Sequence, residues 1–197
     1  MIAVFIVLLI VFETLAYVLT TPRPQEQFFQ VYVLGANRLA ASYYPNNDSN
    51  IRIAESISWY VGVGNMMGSI QFVALRVKLG NSTISSPNET QALPSPAPPV
   101  IEFSRFIQNN ETWEFPFVWQ ILNMSTAQGS TRLLALQVNN QTLLMSDSSA
   151  LGGHNFRFIF ELWVWDTDLA SFQFGWFTEN EHRVAWLQIW FNATSVG

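Results

Sequence analysis

Two hydrophobic patterns divide the chain. From Ile2 to Thr20 the sequence reads IAVFIVLLIVFETLAYVLT, nineteen residues that are apolar on every side and interrupted by one charge, Glu13. Read as a helix at about 1.5 Å per residue, this run rises roughly 28 Å, near the hydrocarbon thickness of a bilayer. Pro22 and Pro24 end it, because proline cannot continue a helix. Beyond them the period changes to that of strands. Phe28–Leu34, Ile51–Val63, Ser69–Leu79, Trp113–Leu122, Arg132–Val138, Phe156–Trp165 and Arg183–Phe191 are rich in Val, Ile, Phe, Trp and Tyr, and several alternate with period two. In Arg183–Phe191 both faces are apolar, which predicts burial on both sides or an interface.

Turn signals separate these segments. Asn139-Asn140 stands between RLLALQV and QTLLM and predicts a two-residue hairpin, since asparagine tolerates positive φ. Tyr44–Asn47 and Gly152-Gly153 read as further turns, and the glycine-rich stretch Gly62–Gly68 reads as a hairpin loop. Ile84–Pro99 (ISSPNETQALPSPAPP) is a Pro/Ser-rich interruption, read as a long loop in one domain rather than as a linker between two β units. The expected architecture is mainly β: an Ig-like β-sandwich over residues 22–197, with the loop at 84–100, preceded by one transmembrane helix over residues 1–21.

A cleaved signal peptide calls for a basic leader and a small-residue cleavage site, and the apolar run opens at Met1 with neither. A buried core helix is seldom so uniformly apolar. The expectation is a single-pass membrane anchor with the β domain outside. Glu13 then stands in hydrocarbon, either protonated and hydrogen-bonded locally or in contact with a partner helix.

Asparagine patterning points the same way. The sequon N-x-[ST] occurs at Asn47, Asn81, Asn88, Asn110, Asn123, Asn140 and Asn192. Seven is roughly three times the number expected by chance from this composition, which predicts N-linked glycans on an exterior domain. Charged residues are only 12% of the chain, and its one lysine is Lys78. Few basic residues limit self-repulsion once carboxylates are protonated, so an acidic environment is expected. The net charge of −5 excludes a binder of the nucleic-acid backbone, and the absence of cysteine excludes disulfides and thiolate chemistry.

Catalytic signals are weak. His154 and His182 stand far apart, with Glu179 and Glu181 near only the second. Metal sites need three or four convergent ligands, so no metal or other cofactor is expected. Asp166-Thr167-Asp168 reads as a solvated turn rather than a calcium loop. Glu179, Glu181 and Asp166 could form a glycosidase pair only if the fold brought them together. No G-x-S-x-G elbow or phosphate-binding loop is present, and the chain is read as no enzyme. Trp163, Trp165, Trp176, Trp186 and Trp190 crowd the last third. They suit a core and a protein interface better than a carbohydrate platform.

The segment Tyr17–Phe29 (YVLTTPRPQEQFF), with Tyr32–Asn37 (YVLGAN), resembles an archaeal membrane-protein family known as domain of unknown function 1616. Tyr44-Pro45-Asn46, Val73–Ser82, Trp113–Phe117 and Trp186–Phe191 resemble further family segments, thinly. The resemblance implies an archaeal, outward-facing β-sandwich held by a membrane helix, with no catalytic residues to carry over. Many family members have several membrane helices before the β domain, and Ile84–Pro99 and Asp147–Asn155 look like insertions here. The function expected is a non-catalytic, membrane-anchored surface glycoprotein, an accessory subunit of a larger membrane or envelope assembly. Its partners would be lipid, N-linked glycans and other integral membrane or envelope proteins, or further copies of itself. A filament subunit, pilin-like or strand-donating, and a module or enzyme acting on extracellular carbohydrate are the alternatives.

Overall fold

The computed structural model describes residues 2–21, 26–178 and 181–194. A helix, α1 (Ile2–Thr20), comes first. The strands follow as β1 (Phe28–Leu34), β2 (Asn50–Arg52), β3 (Ile57–Met66), β4 (Gln71–Gly80), β5 (Pro99–Ile107), β6 (Thr112–Ala127) and β7 (Ser130–Val138). They continue as β8 (Gln141–Leu151), β9 (Phe156–Asp166), β10 (Ser171–Phe174), β11 (Trp176–Phe177), β12 (His182–Arg183) and β13 (Trp186–Thr194). One sheet has the order β1-β3-β6-β7-β8; the other has β2-β13-β9-β4-β5, with β10 also pairing β9. β11 and β12 form a separate ribbon. Among the described residues the strands pair antiparallel except β2 with β13; two isolated bridges, Ile53 to Ile121 and Trp163 to Gly175, are also parallel.

The two sheets pack as a β-sandwich. Ile57, Trp59, Val61 and Val63 alternate inward from β3, and Phe117, Trp119 and Ile121 do so from β6. Phe158, Phe160 and Leu162 of β9 and Phe191 of β13 meet them from the opposite sheet. Trp59 lies edge-on to Phe158 with ring centroids 5.8 Å apart, and Trp119 stands 4.8 Å from Phe191. Such large rings dominate the apolar area that folding removes from water. Strands on either side of the Pro/Ser-rich segment pair within the same sheets, so that segment is a strap across one sandwich.

Several boundaries differ from expectation. Ile51–Val63 is two strands in different sheets. A turn at Ala54 (φ 63°), with the Glu55 carboxylate accepting from the Arg52 amide at 3.0 Å, moves the chain from β2 to β3. Gly62 and Gly64 are strand residues, not loop residues. A Cβ on Gly62 would lie 2.1 Å from the Tyr32 ring, so the glycine admits the tyrosine across the strand. Only Gly68, at φ 81°, serves the turn between β3 and β4. The last long strand starts at Trp186, and Arg183 belongs to the β11–β12 ribbon. β9 is the strand buried on both faces, from Phe156 to Leu162. The hairpin at Asn139-Asn140 forms as expected, with both residues at positive φ and Val138 paired to Gln141.

Among the described residues no helix is long and apolar enough to cross a membrane. The described side chains of α1 begin at Val4, and all of them except Ala16 are exposed. Thr14 and Thr20 turn their hydroxyls back onto the carbonyls of Ile10 and Ala16, each at 2.7 Å.

Candidate functional site

The outer face of the second sheet carries the densest chemistry in the chain. Leu75, Val77 and Leu79 of β4 point into the core, so Arg76 and Lys78 point outward. On β9 the same alternation turns Arg157, Glu161 and Trp163 outward, and Arg76 lies opposite Glu161. Gln188 of β13 completes the face beside Ile159.

The strap Ile84–Pro98 closes over this face. Lys78 Nζ lies 2.8 Å from Glu161 Oε2, with both side chains buried. Lys78 also donates to the Ser95 carbonyl at 2.6 Å, and the Ser95 amide donates to Glu161 Oε1 at 2.7 Å. The pair therefore holds the strap through both backbone polar groups of one residue, Ser95. Trp163 Nε1 donates to Glu161 Oε2 at 3.2 Å. At the other end of the strap, Arg157 donates to Ser86 Oγ at 2.7 Å, to the Ile84 carbonyl and to Gln188. Burial there pulls its guanidinium below the usual arginine pKa. Every polar atom of the Lys78–Glu161 pair faces protein, which suits a structural clamp.

The tryptophans singled out in the sequence separate into different roles. Trp163 is stacked under the Arg76 guanidinium, 3.9 Å from the ring centroid, and Trp190 under Arg157 at 4.6 Å. Trp186 donates to Glu89 of the strap at 3.0 Å. Trp176 is buried edge-on against Phe29 at 5.1 Å and closes the core beside β1. Trp165 is partly exposed and joins Phe72, Phe106 and Phe172 in a separate aromatic cluster. Trp59 and Trp119, not singled out from the sequence, are the fully buried ones.

A groove of about 530 Å³ runs between the strap and the free edge of β8. Leu79, Pro96, Pro98, Val100, Leu143 and Met145 line it, with the hydroxyl groups of Thr142, Ser146 and Ser148 at its rim. Its described lining is apolar with hydroxyl groups. β8 carries an irregularity opposite Leu133–Ala135, which interrupts its ladder with β7.

The remaining candidates are dispersed. Asn47, Asn88, Asn110, Asn123 and Asn140 are exposed; Asn81 and Asn192 are half-buried. The side-chain nitrogen of Asn81 donates to the Ser149 carbonyl at 2.7 Å and that of Asn192 to Asn50 Oδ1 at 2.9 Å. Glu13 lies on the exposed helix. His182 stacks on Phe177 at 4.1 Å, with Nε2 at 2.8 Å from the Phe174 carbonyl, while His154 occupies the turn after β8. Glu181 pairs with Arg183, and the Asp166 carboxylate accepts from the amides of Asp168 and Leu169. Glu179 lies outside the described residues. Among the described residues no three His, Asp or Glu side chains are grouped as a metal site.

Tyrosines tie the strands near these surfaces. Tyr44 donates to the Trp190 carbonyl at 2.6 Å, and burial pushes its phenol well above the ordinary value. Tyr32 donates to Glu114 at 3.1 Å, and burial together with that carboxylate raises it too. The clamp residues Lys78, Glu161 and Ser95 were missed in the sequence. The available signal was charge inside otherwise apolar strands, Arg76 and Lys78 in VALRVKL and Arg157 and Glu161 in FRFIFELWVW.

No family model matches the chain, and no curated protein matches it. Among solved structures, the CARDB domain of a Pyrococcus furiosus protein, in complex with di-metal ions, aligns at 11% identity with a TM-score of 0.38. The alignment covers 89% of this chain and all of that one. The sporulation control protein Spo0M of Bacillus subtilis aligns at 12% identity and a TM-score of 0.36, covering 84% of this chain and 49% of that one. A Listeria innocua β-glucosidase in complex with glucose aligns at 8% identity and 0.35, covering 86% of this chain. The chain spans 17% of that enzyme's length. At these scores the likeness carries no statement about activity or ligands.

Proposed function

We propose that the chain is a non-catalytic surface glycoprotein, anchored by α1 in a membrane, whose outward-facing sandwich is an accessory subunit of a larger membrane or envelope assembly. The observation that carries this reading is α1 itself, an apolar helix whose side chains are exposed on every side. Exposed apolar area on this scale is costly in water, at about 25 cal/mol per Å², and is relieved by hydrocarbon or by partner helices. The reading counts the whole helix, Ile2–Thr20, and the threonine hydroxyls turned onto its own backbone suit an apolar surrounding. Exposed sequons support the glycoprotein part. An archaeal source and kinship with domain of unknown function 1616 rest on the resemblance of residues 17–37. An Ig-like arrangement is favoured by the parallel pairing of β2 with β13, although β6, β7 and β8 form a simple meander.

A strand-donating assembly is the second reading, favoured by the open groove beside β8. A carbohydrate platform is less favoured, because guanidinium groups occupy faces of Trp163 and Trp190. Gentle detergent extraction of native membranes, followed by size separation and mass spectrometry, tests the proposal. Co-migration with other integral proteins in a fixed ratio is expected. Recovery from the soluble fraction would overturn the anchor, and migration as a homopolymer would favour strand donation.

A further inference from the structure

We propose that the end of the sandwich where β1 begins rests on the membrane surface through a built apolar tip. The inference rests on the anchor reading and adds a second contact with lipid. Phe28, the first residue of β1, pairs with Met66, so the chain from α1 enters beside the β3–β4 turn. A Cβ on Gly68 in that turn would lie 3.8 Å from Gln27. Residues 22–27 separate Thr21 from Phe28, and a fully extended segment of that length spans about 20 Å. The helix end is therefore tethered close to this end of the domain.

The same end collects exposed apolar side chains from three turns. Ile70 follows the β3–β4 turn, Phe106 is the last residue but one of β5, and Leu169 tips the β9–β10 hairpin; they are 52%, 61% and 63% exposed. Phe106 stacks on Phe72 with centroids 4.4 Å apart, and Phe72 continues to Trp165 at 6.0 Å and to Phe172 at 5.1 Å. Leu169 is held in place by the Asp166 carboxylate, which accepts from the amides of Asp168 and Leu169 at 2.8 and 3.0 Å. Aromatic rings with aliphatic tips suit the boundary between headgroups and acyl chains. Asp166, Asp168 and Glu111 also lie at this end, so apolar burial, not attraction to anionic headgroups, drives the contact. Asn47, Asn81, Asn123 and Asn192 lie toward the opposite end, and Asn110 shares the end with the tip.

The chain has no cysteine, so single labels can be placed at will. The test uses the full chain reconstituted in phosphatidylcholine vesicles containing a nitroxide-labelled lipid. An environment-sensitive fluorophore is attached at Leu169→Cys, at Ile70→Cys, or at Gln128→Cys in the opposite β6–β7 hairpin. Blue-shifted emission and several-fold stronger quenching at 169 and 70 than at 128 are expected. Adding anionic lipid should not strengthen the effect. Equal quenching at all three positions, in a chain that floats with the vesicles, overturns the tip and leaves the anchor standing. A chain that does not float overturns both. A blue shift that appears only when other native membrane proteins are present assigns the tip to a protein partner and overturns the lipid contact.

Discussion

Lys78 and Glu161 stand 2.8 Å apart on adjacent strands, and the backbone N–H and C=O of Ser95 bridge them from above. The chain's one lysine is thus spent inside, under a proline-rich strap. Removing one partner leaves a buried charge without compensation. Glu161→Ala or Lys78→Ala should each destabilise the fold by about 3–5 kcal/mol. The double change Lys78→Met with Glu161→Leu should recover much of that loss. Urea unfolding measures both. In each single variant, proteolysis within Ile84–Pro98 should speed up first, because the strap loses one of its two central hydrogen bonds and the partner of the other loses its counter-charge. Equal costs for the single and double changes would contradict the clamp.

Alkaline titration should unfold the protein through its tyrosines. Burial raises the Tyr44 phenol, and burial with Glu114 raises Tyr32. Above about pH 10 an unfolded tyrosine loses its proton while these two keep theirs. The native state then binds more protons, so stability falls as pH rises. Below that range their contribution is fully present. Tyr44→Phe should shrink the alkaline slope and cost about 1 kcal/mol at neutral pH through the lost bond to the Trp190 carbonyl. Melting temperatures between pH 8 and pH 11 check both signs.

Gly62 should resist substitution although it lies in an ordinary strand. Gly62→Ala drives a methyl group into the Tyr32 ring and threatens the bond from Tyr32 to Glu114. A loss of about 1–3 kcal/mol is expected from overpacking. Pairing it with Tyr32→Ala should relieve the clash, so the double mutant should cost less than the sum of the two single changes. Chemical denaturation of all three variants gives the coupling.

Glycan occupancy should follow amide access. Asn47, Asn88, Asn110, Asn123 and Asn140 are exposed and should be occupied in most copies. Asn81 and Asn192 are half-buried, with side-chain nitrogens donating to Ser149 and Asn50, and should be occupied least. Glycopeptide mass spectrometry of native material reads the order directly. Full occupancy at Asn81 and Asn192 would mean that sugars are attached before these bonds form.

By itself, the sequence determined what local chemistry determines. A nineteen-residue run broken only by Glu13 and two threonines specifies a helix with no polar face, and alternation in FFQVYVL specifies a strand with one buried side. Asn139-Asn140 specifies its turn because both residues accept positive φ. Tertiary structure decided what depends on partners distant in the chain. Gly62 reads as a loop residue until Tyr32 is laid across it. Ile51–Val63 reads as one strand until β2 finds β13, more than a hundred residues away. The Pro/Ser-rich segment reads as an exposed loop until Lys78 and Glu161 draw Ser95 down onto the sheet. Five tryptophans read as one group, yet sheet register sends Trp176 into the core, puts Trp163 and Trp190 beneath arginines and leaves Trp165 near an exposed tip. Periodicity records which side of its own backbone a residue takes; only the packed sheets supply what stands opposite.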